Sequence, residues 1–140
     1  MIKVKKTALI AAPAEEVWES IRDFNGLPKF VSLIVESKMQ GSGVGAVRSL
    51  TFADGHQAVE TLEELDDEQM TLRYSLENAP RPFRDYEAAM HLEQLDGDRC
   101  QLDWSSTFEA SEGVSDEEAR SLPEGLYEAG FEGLKKLHES

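Results

Sequence analysis

Hydrophobic and polar positions change period three times along this chain. From residue 2 to residue 12, Val4 sits between Lys3 and Lys5 ahead of an apolar run, a pattern that predicts a strand. Pro13 ends it, since proline has no N–H to give a ladder. Residues 14 to 24 shift to helical spacing, with Val17, Ile21 and Phe24 on one stripe and Trp18 beside it. Glu15 and Glu16 fall in the first turn, where the helix dipole favours anions, and Asn25-Gly26 closes the element. Residues 27 to 30 predict a second short helix with Pro28 in its first turn.

From residue 33 to about 110 the chain reads as short β-prone runs between turn signals, the texture of an antiparallel meander. Breaks at Gly41-Ser42-Gly43, Asp54-Gly55, Asp66-Asp67-Glu68, Asn78 to Pro82 and Asp96-Gly97-Asp98 delimit six strands. These are expected at 33–39, 45–53, 56–65, 70–77, 84–95 and 100–109. Met70/Leu72/Tyr74/Leu76, Tyr86/Ala88/Met90/Leu92 and Cys100/Leu102/Trp104/Ser106/Phe108 face one way, and the alternate positions are polar. One side of the sheet is therefore wet and the other covered.

The cover is a C-terminal helix. Ser115-Asp116-Glu117-Glu118 has the form of a capping box. Ala119, Leu122, Leu126, Gly130, Leu134 and Leu137 follow at helical spacing as an apolar stripe, with Tyr127 and Phe131 adjacent. Pro123 interrupts the pattern, which predicts a kink or restart and a longest helix over 123–138.

Length and charge narrow the possible functions. At 140 residues the chain is expected to form a single domain, 1–140, with core enough to do without staples. Its 28 acidic against 14 basic residues, a net charge of −14, disfavour nucleic acid and anionic membrane surfaces as partners. The one cysteine, Cys100, allows no internal disulfide, so a reducing cytoplasm is the expected location. Lys3, Lys5 and Lys6 before a short apolar run ending in Ala12-Pro13-Ala14 superficially resemble a signal segment, but the alternation suits a strand. No run approaches the roughly 20 apolar residues that span a bilayer.

Several residues carry a resemblance. The opening Ala12-Pro13-Ala14-Glu15-Glu16-Val17-Trp18 with Ile21-Arg22-Asp23-Phe24 is the first of them. Gly43-x-Gly45-Ala46-Val47-Arg48, Asp54-Gly55, Val59-Glu60-x-Leu62-x-x-Leu65-Asp66 and Leu72-Arg73-Tyr74-Ser75 follow, then Tyr86, Trp104-Ser105-Ser106-x-Phe108 and Gly130. In order and spacing the chain resembles the START-like, or helix-grip, superfamily (SRPBCC), in its polyketide cyclase/dehydrase and lipid transport branch. The resemblance implies an α+β fold: a curved seven-stranded antiparallel sheet around a long C-terminal helix, with two short helices after the first strand. It also implies binding of lipids, hormones or aromatic polyketides, with cyclisation or dehydration in some members; fold alone does not choose among these.

The residues that could carry chemistry depend on one turn. If Ala53-Asp54-Gly55 is a three-residue loop with Gly55 left-handed, Arg48 falls opposite Glu60, among Leu50, Ala58 and Leu62. A two-residue loop would instead set Glu60 against Ser49. Arg48 and Glu60 then either line a cavity, offering a bidentate donor and an acceptor, or form a surface pair worth under about 1 kcal/mol. Tyr74, Tyr86, Met90, Trp104, Phe108, Tyr127 and Phe131 join Leu50 and Leu62 on inward faces, as the wall of a pocket or as plain core.

No nucleophile elbow, phosphate loop or dinucleotide fingerprint is present. His56, His91 and His138 lie apart and read as solvated, Asp66-Asp67-Glu68 as a soluble turn, Cys100 as an apolar filler and the acids of 112 to 128 as a wet helix face. Neither a metal nor a cofactor is expected. The leading expectation is a carrier or sensor that holds a small hydrophobic or aromatic molecule in an internal cavity. The alternatives are a cofactor-free cyclase or dehydratase, with Glu60 as base and Arg48 or Tyr74 steadying an enolate, and a chaperone-associated interaction module. Protein partners and oligomeric state stay open.

Overall fold

A computed structural model describes residues 1–77 and 83–139. The Asn78 to Pro82 turn expected from the sequence lies outside the described residues. Strands β1 (Ile2–Ile10), β2 (Ile34–Gln40), β3 (Val47–Phe52), β4 (Gln57–Asp66), β5 (Thr71–Glu77), β6 (Phe83–Asp96) and β7 (Arg99–Ala110) form one curved antiparallel sheet in the order β1-β7-β6-β5-β4-β3-β2. Helix α1 (Ala14–Arg22) and a 3₁₀ turn, Leu27–Lys29, follow β1, and α2 (Asp116–His138) closes the chain against the sheet. This is the expected α+β helix-grip arrangement, with the second short helix reduced to a single 3₁₀ turn.

Local chemistry explains the shifted boundaries. β1 stops at Ile10, short of residue 12, because the Ala11 N–H donates to the Glu139 carboxylate at the end of α2 (2.9 Å) instead of a neighbouring strand. Pro13 caps α1, its carbonyl accepting from the N–H groups of Glu16 and Val17. Asp23 turns extended and ends that helix before Phe24. At the start of β3 the Gly45 N–H donates to Leu62 O and Ala46 O accepts from Leu62 N, so pairing with β4 begins irregularly. Gly45 at φ +94° makes the bend that this requires.

α2 departs most from its sequence reading. Ser115 caps it as expected, accepting from the Glu118 N–H (3.1 Å). Yet the helix runs unbroken through Pro123, which lies in its second full turn and removes only one backbone hydrogen bond. The face turned to the sheet is Ala119, Pro123, Tyr127, Gly130, Phe131 and Leu134. Leu122 and Leu137, expected in the apolar stripe, are about half exposed, at 55% and 50%. The aromatics favour this phase, because burying Tyr127 and Phe131 removes more apolar area from water than burying a leucine.

Candidate functional site

The β3–β4 hairpin sets the register. Gly55 takes φ +94°, Gly55 N–H donates to Phe52 O (2.9 Å) and Phe52 N–H to His56 O (2.8 Å), the geometry of a three-residue loop. Leu50 therefore pairs with Ala58 and Arg48 with Glu60. Both charged side chains point into the fold, and the two residues are 3% and 6% exposed. Arg48 Nε and Nη2 donate to the same carboxylate oxygen, Glu60 Oε1 (2.8 and 2.6 Å), and Nη1 donates to Phe24 O (2.8 Å). The guanidinium carbon lies 3.8 Å from the Phe24 ring centre and 4.9 Å from that of Tyr74. Phe24 thus receives Arg48 twice, through its carbonyl and through its ring.

A cavity of about 430 Å³ opens beside this pair, between the β3–β4 hairpin and the first turns of α2. Phe52, Ala58, Leu76, Phe83, Pro123 and Leu126 give it apolar walls. Glu60 and Tyr86 belong to the wall, and Asp54, His56 and Gln57 stand on the hairpin side. Asp85, at φ +53° in the bulge between Arg84 and Glu87, carries β6 around the turn that delivers Tyr86.

Of the candidate binding residues named from the sequence, only Glu60 and Tyr86 reach the wall. Arg48 stands behind Glu60. Tyr74 covers Arg48, its hydroxyl accepting from Trp104 Nε1–H (3.1 Å). Trp104 is closed in by Tyr127, stacked at 4.4 Å and 17°, and by the edge of Phe131. Phe108 stacks on Tyr86 at 5.4 Å, and the Tyr86 and Tyr127 hydroxyls are hydrogen-bonded. Leu50, Leu62 and Met90 are core. Sequence reasoning missed Leu33, Phe52, Leu76, Phe83, Leu122, Pro123 and Leu126. The one available signal was Pro123 between two leucines at the start of α2, which reads equally as core.

Burial raises the Tyr74, Tyr86 and Tyr127 hydroxyls above the usual phenol range, so all three stay protonated. Asp54 is held below its usual range, first by the backbone N–H of His56 and then by the His56 ring. Two histidines expected in solvent are half-buried. His91 Nδ1 is bonded to Thr71 Oγ1 (2.9 Å) and His138 Nε2 to Ser20 Oγ (2.8 Å), where desolvation lowers its pKa. The 66–68 turn is tied down: Asp67 accepts from Trp18 Nε1–H (2.8 Å) and Arg22 Nε (2.9 Å). Cys100 is buried, and that burial raises its thiol pKa. Among the described residues no three His, Cys, Asp or Glu side chains stand together to hold a metal, and no helix is long and apolar enough to cross a membrane.

The sequence matches the model of the polyketide cyclase / dehydrase and lipid transport family over residues 1–139, and the chain belongs to that family. It is 33% identical to the XoxI protein of Bacillus cereus, covering 99% of this chain and 96% of that one at a TM-score of 0.91. A putative uncharacterized protein of Bacillus thuringiensis is 32% identical, with 97% and 98% covered and a TM-score of 0.89. The Zhui aromatase/cyclase of Streptomyces sp. R1128, at 20% identity, shares the fold: TM-score 0.82 over 97% of this chain and 92% of that one. No curated protein matches the chain.

Proposed function

We propose that the cavity beside Glu60 takes up a small apolar or aromatic molecule and that the chain serves as its carrier or sensor. One observation carries this reading: an apolar recess of about 430 Å³, partly open to solvent, whose wall includes a nearly buried carboxylate. That volume falls in the range of small-molecule pockets, roughly 300–1,000 Å³, and a few polar groups in an apolar wall is how such pockets orient a guest. Glu60 and Tyr86 are the orienting groups, while Arg48, Tyr74 and Tyr127 hold them in place from behind. Membership of a lipid transport and polyketide cyclase family agrees with an apolar guest. The lone buried cysteine suits a reducing cytoplasm.

The family also contains a cyclase or dehydratase reading, with Glu60 as base and Arg48 or Tyr74 steadying an enolate. Against it, Arg48 is engaged on Glu60 and Phe24 and neither Arg48 nor Tyr74 is part of the wall. The test is a fluorescence titration with N-phenyl-1-naphthylamine, a neutral aromatic probe. Saturable enhancement by the wild type, abolished in Ala58→Trp whose indole would fill the recess while circular dichroism stays native, is the expected result. A wild type that gives no saturable signal overturns the proposal, and so does an Ala58→Trp variant that binds as before.

A further inference from the structure

We infer that the cavity selects apolar molecules whose leading end carries a hydrogen-bond donor, neutral or cationic, and turns away carboxylates, with Glu60 as the selecting residue. The inference rests on the cavity being a ligand site.

Both Arg48 hydrogen bonds to Glu60 end on Oε1, and among the described residues Oε2 accepts none. An ionised carboxylate accepts through two oxygens and about four lone-pair sites, so half of a nearly buried anion stands ready for a donor. The cation that would welcome an acid is withdrawn. Arg48 is not in the wall, its Nη1 is taken by Phe24 O, and its plane is covered by the Phe24 and Tyr74 rings. Tyr86 shares its hydroxyl with Tyr127, which leaves Glu60 as the strongest acceptor at that depth.

The hairpin side points the same way. Asp54 is anionic at neutral pH and pairs with His56 (2.9 Å), and among the described residues no free cation stands on that side. An entering carboxylate would lose its water and meet Glu60 with no cation among the described residues to offset that desolvation. An entering ammonium or hydroxyl would gain a charge-assisted hydrogen bond to Oε2, roughly twice as strong as a neutral one.

Four probes on one ring system separate the terms: 1-methylnaphthalene, 1-naphthalenemethanol, 1-naphthylmethylammonium and 1-naphthoate, each titrated calorimetrically into the wild type. The alcohol and the ammonium should bind on the order of tenfold tighter than the methyl compound, and naphthoate at least about tenfold weaker than it. Glu60→Gln, which keeps an oxygen for Arg48 and turns an amide donor toward the guest, should reverse the order of ammonium and naphthoate. Naphthoate binding as well as the methyl compound in the wild type, or an unchanged order in a folded Glu60→Gln, overturns the inference while leaving the cavity as a binding site. If none of the four binds, the binding reading fails and the inference with it. The wild-type ranking needs no variant, so it decides the matter even if Glu60→Gln does not fold.

Discussion

Arg48 and Glu60 sit where a single residue's chemistry governs the fold around it. Two opposite charges, 4% and 8% exposed at the side chain, gain little net stability as a pair, because desolvation consumes most of their attraction. Removing one partner is another matter, since the survivor is left buried and uncompensated. Arg48→Ala and Glu60→Ala should each destabilise the protein by about 3–5 kcal/mol in urea unfolding, whereas Arg48→Met with Glu60→Leu should recover most of that loss. Alanine losses that simply add up in the Arg48→Ala/Glu60→Ala double variant would show that the two charges do not depend on each other. The pairing is legible in the sequence only as one of two registers, since Asp54-Gly55 suits a two- or a three-residue loop, and the hydrogen bonds of the three-residue loop choose Arg48 opposite Glu60. The engagement of Arg48 by Phe24 is not legible, for it joins the exit of α1 to β3 across 24 residues and no local pattern encodes it.

At the scale of elements, the sheet was readable because a strand's period of two survives its surroundings. Each of the three best alternating runs, in β5, β6 and β7, buries the face expected of it. α2 was harder, since a helical stripe about 100° wide can be drawn in more than one phase through Leu122, Pro123, Leu126 and Tyr127. Besides the buried rings, close approach at two glycines selects the phase. A Cβ on Gly130 would stand 2.6 Å from Trp104 Cζ3, and one on Gly133 would stand 1.6 Å from the carbonyl oxygen of Phe30. The ring can tilt, but the backbone after the 3₁₀ turn has less room to give. Alanine favours a helix over glycine by about 1 kcal/mol, yet overpacking costs about 1–3 kcal/mol or more, so both Gly→Ala changes should lower the melting temperature. Gly133→Ala should be the worse of the two, and a Gly133→Ala protein as stable as wild type would mean that α2 does not rest on the Phe30 segment this closely.

For the whole molecule, the expectation of an internal cavity carried no position. The cavity lies at one end, because Trp104, Tyr127 and Phe131 fill the middle. Side-chain volumes decide that, and they become decisive only once register and helix phase bring particular rings together. Net charge works at the same scale. Apart from Arg48–Glu60, the ion pairs among the described residues are largely exposed, such as Lys6–Glu128 and Arg99–Asp96, and water and salt screen them so that they add little stability. An excess of 14 negative charges on a chain of 140 residues therefore repels itself with little to offset it. Raising NaCl shortens the screening length from about 30 Å at 0.01 M to about 3 Å at 1 M, which weakens the repulsion more than it weakens those exposed pairs. The melting temperature should accordingly climb by several degrees across that range. A fall would mean that the surface pairs outweigh the repulsion and that the acidic surface is knitted together by its few cations. The affinity for 1-naphthalenemethanol should stay constant over the same series, because a neutral guest bonded to a carboxylate inside the recess lies beyond the reach of mobile ions, while 1-naphthylmethylammonium, drawn in partly by the field of the whole surface, should weaken as salt is added.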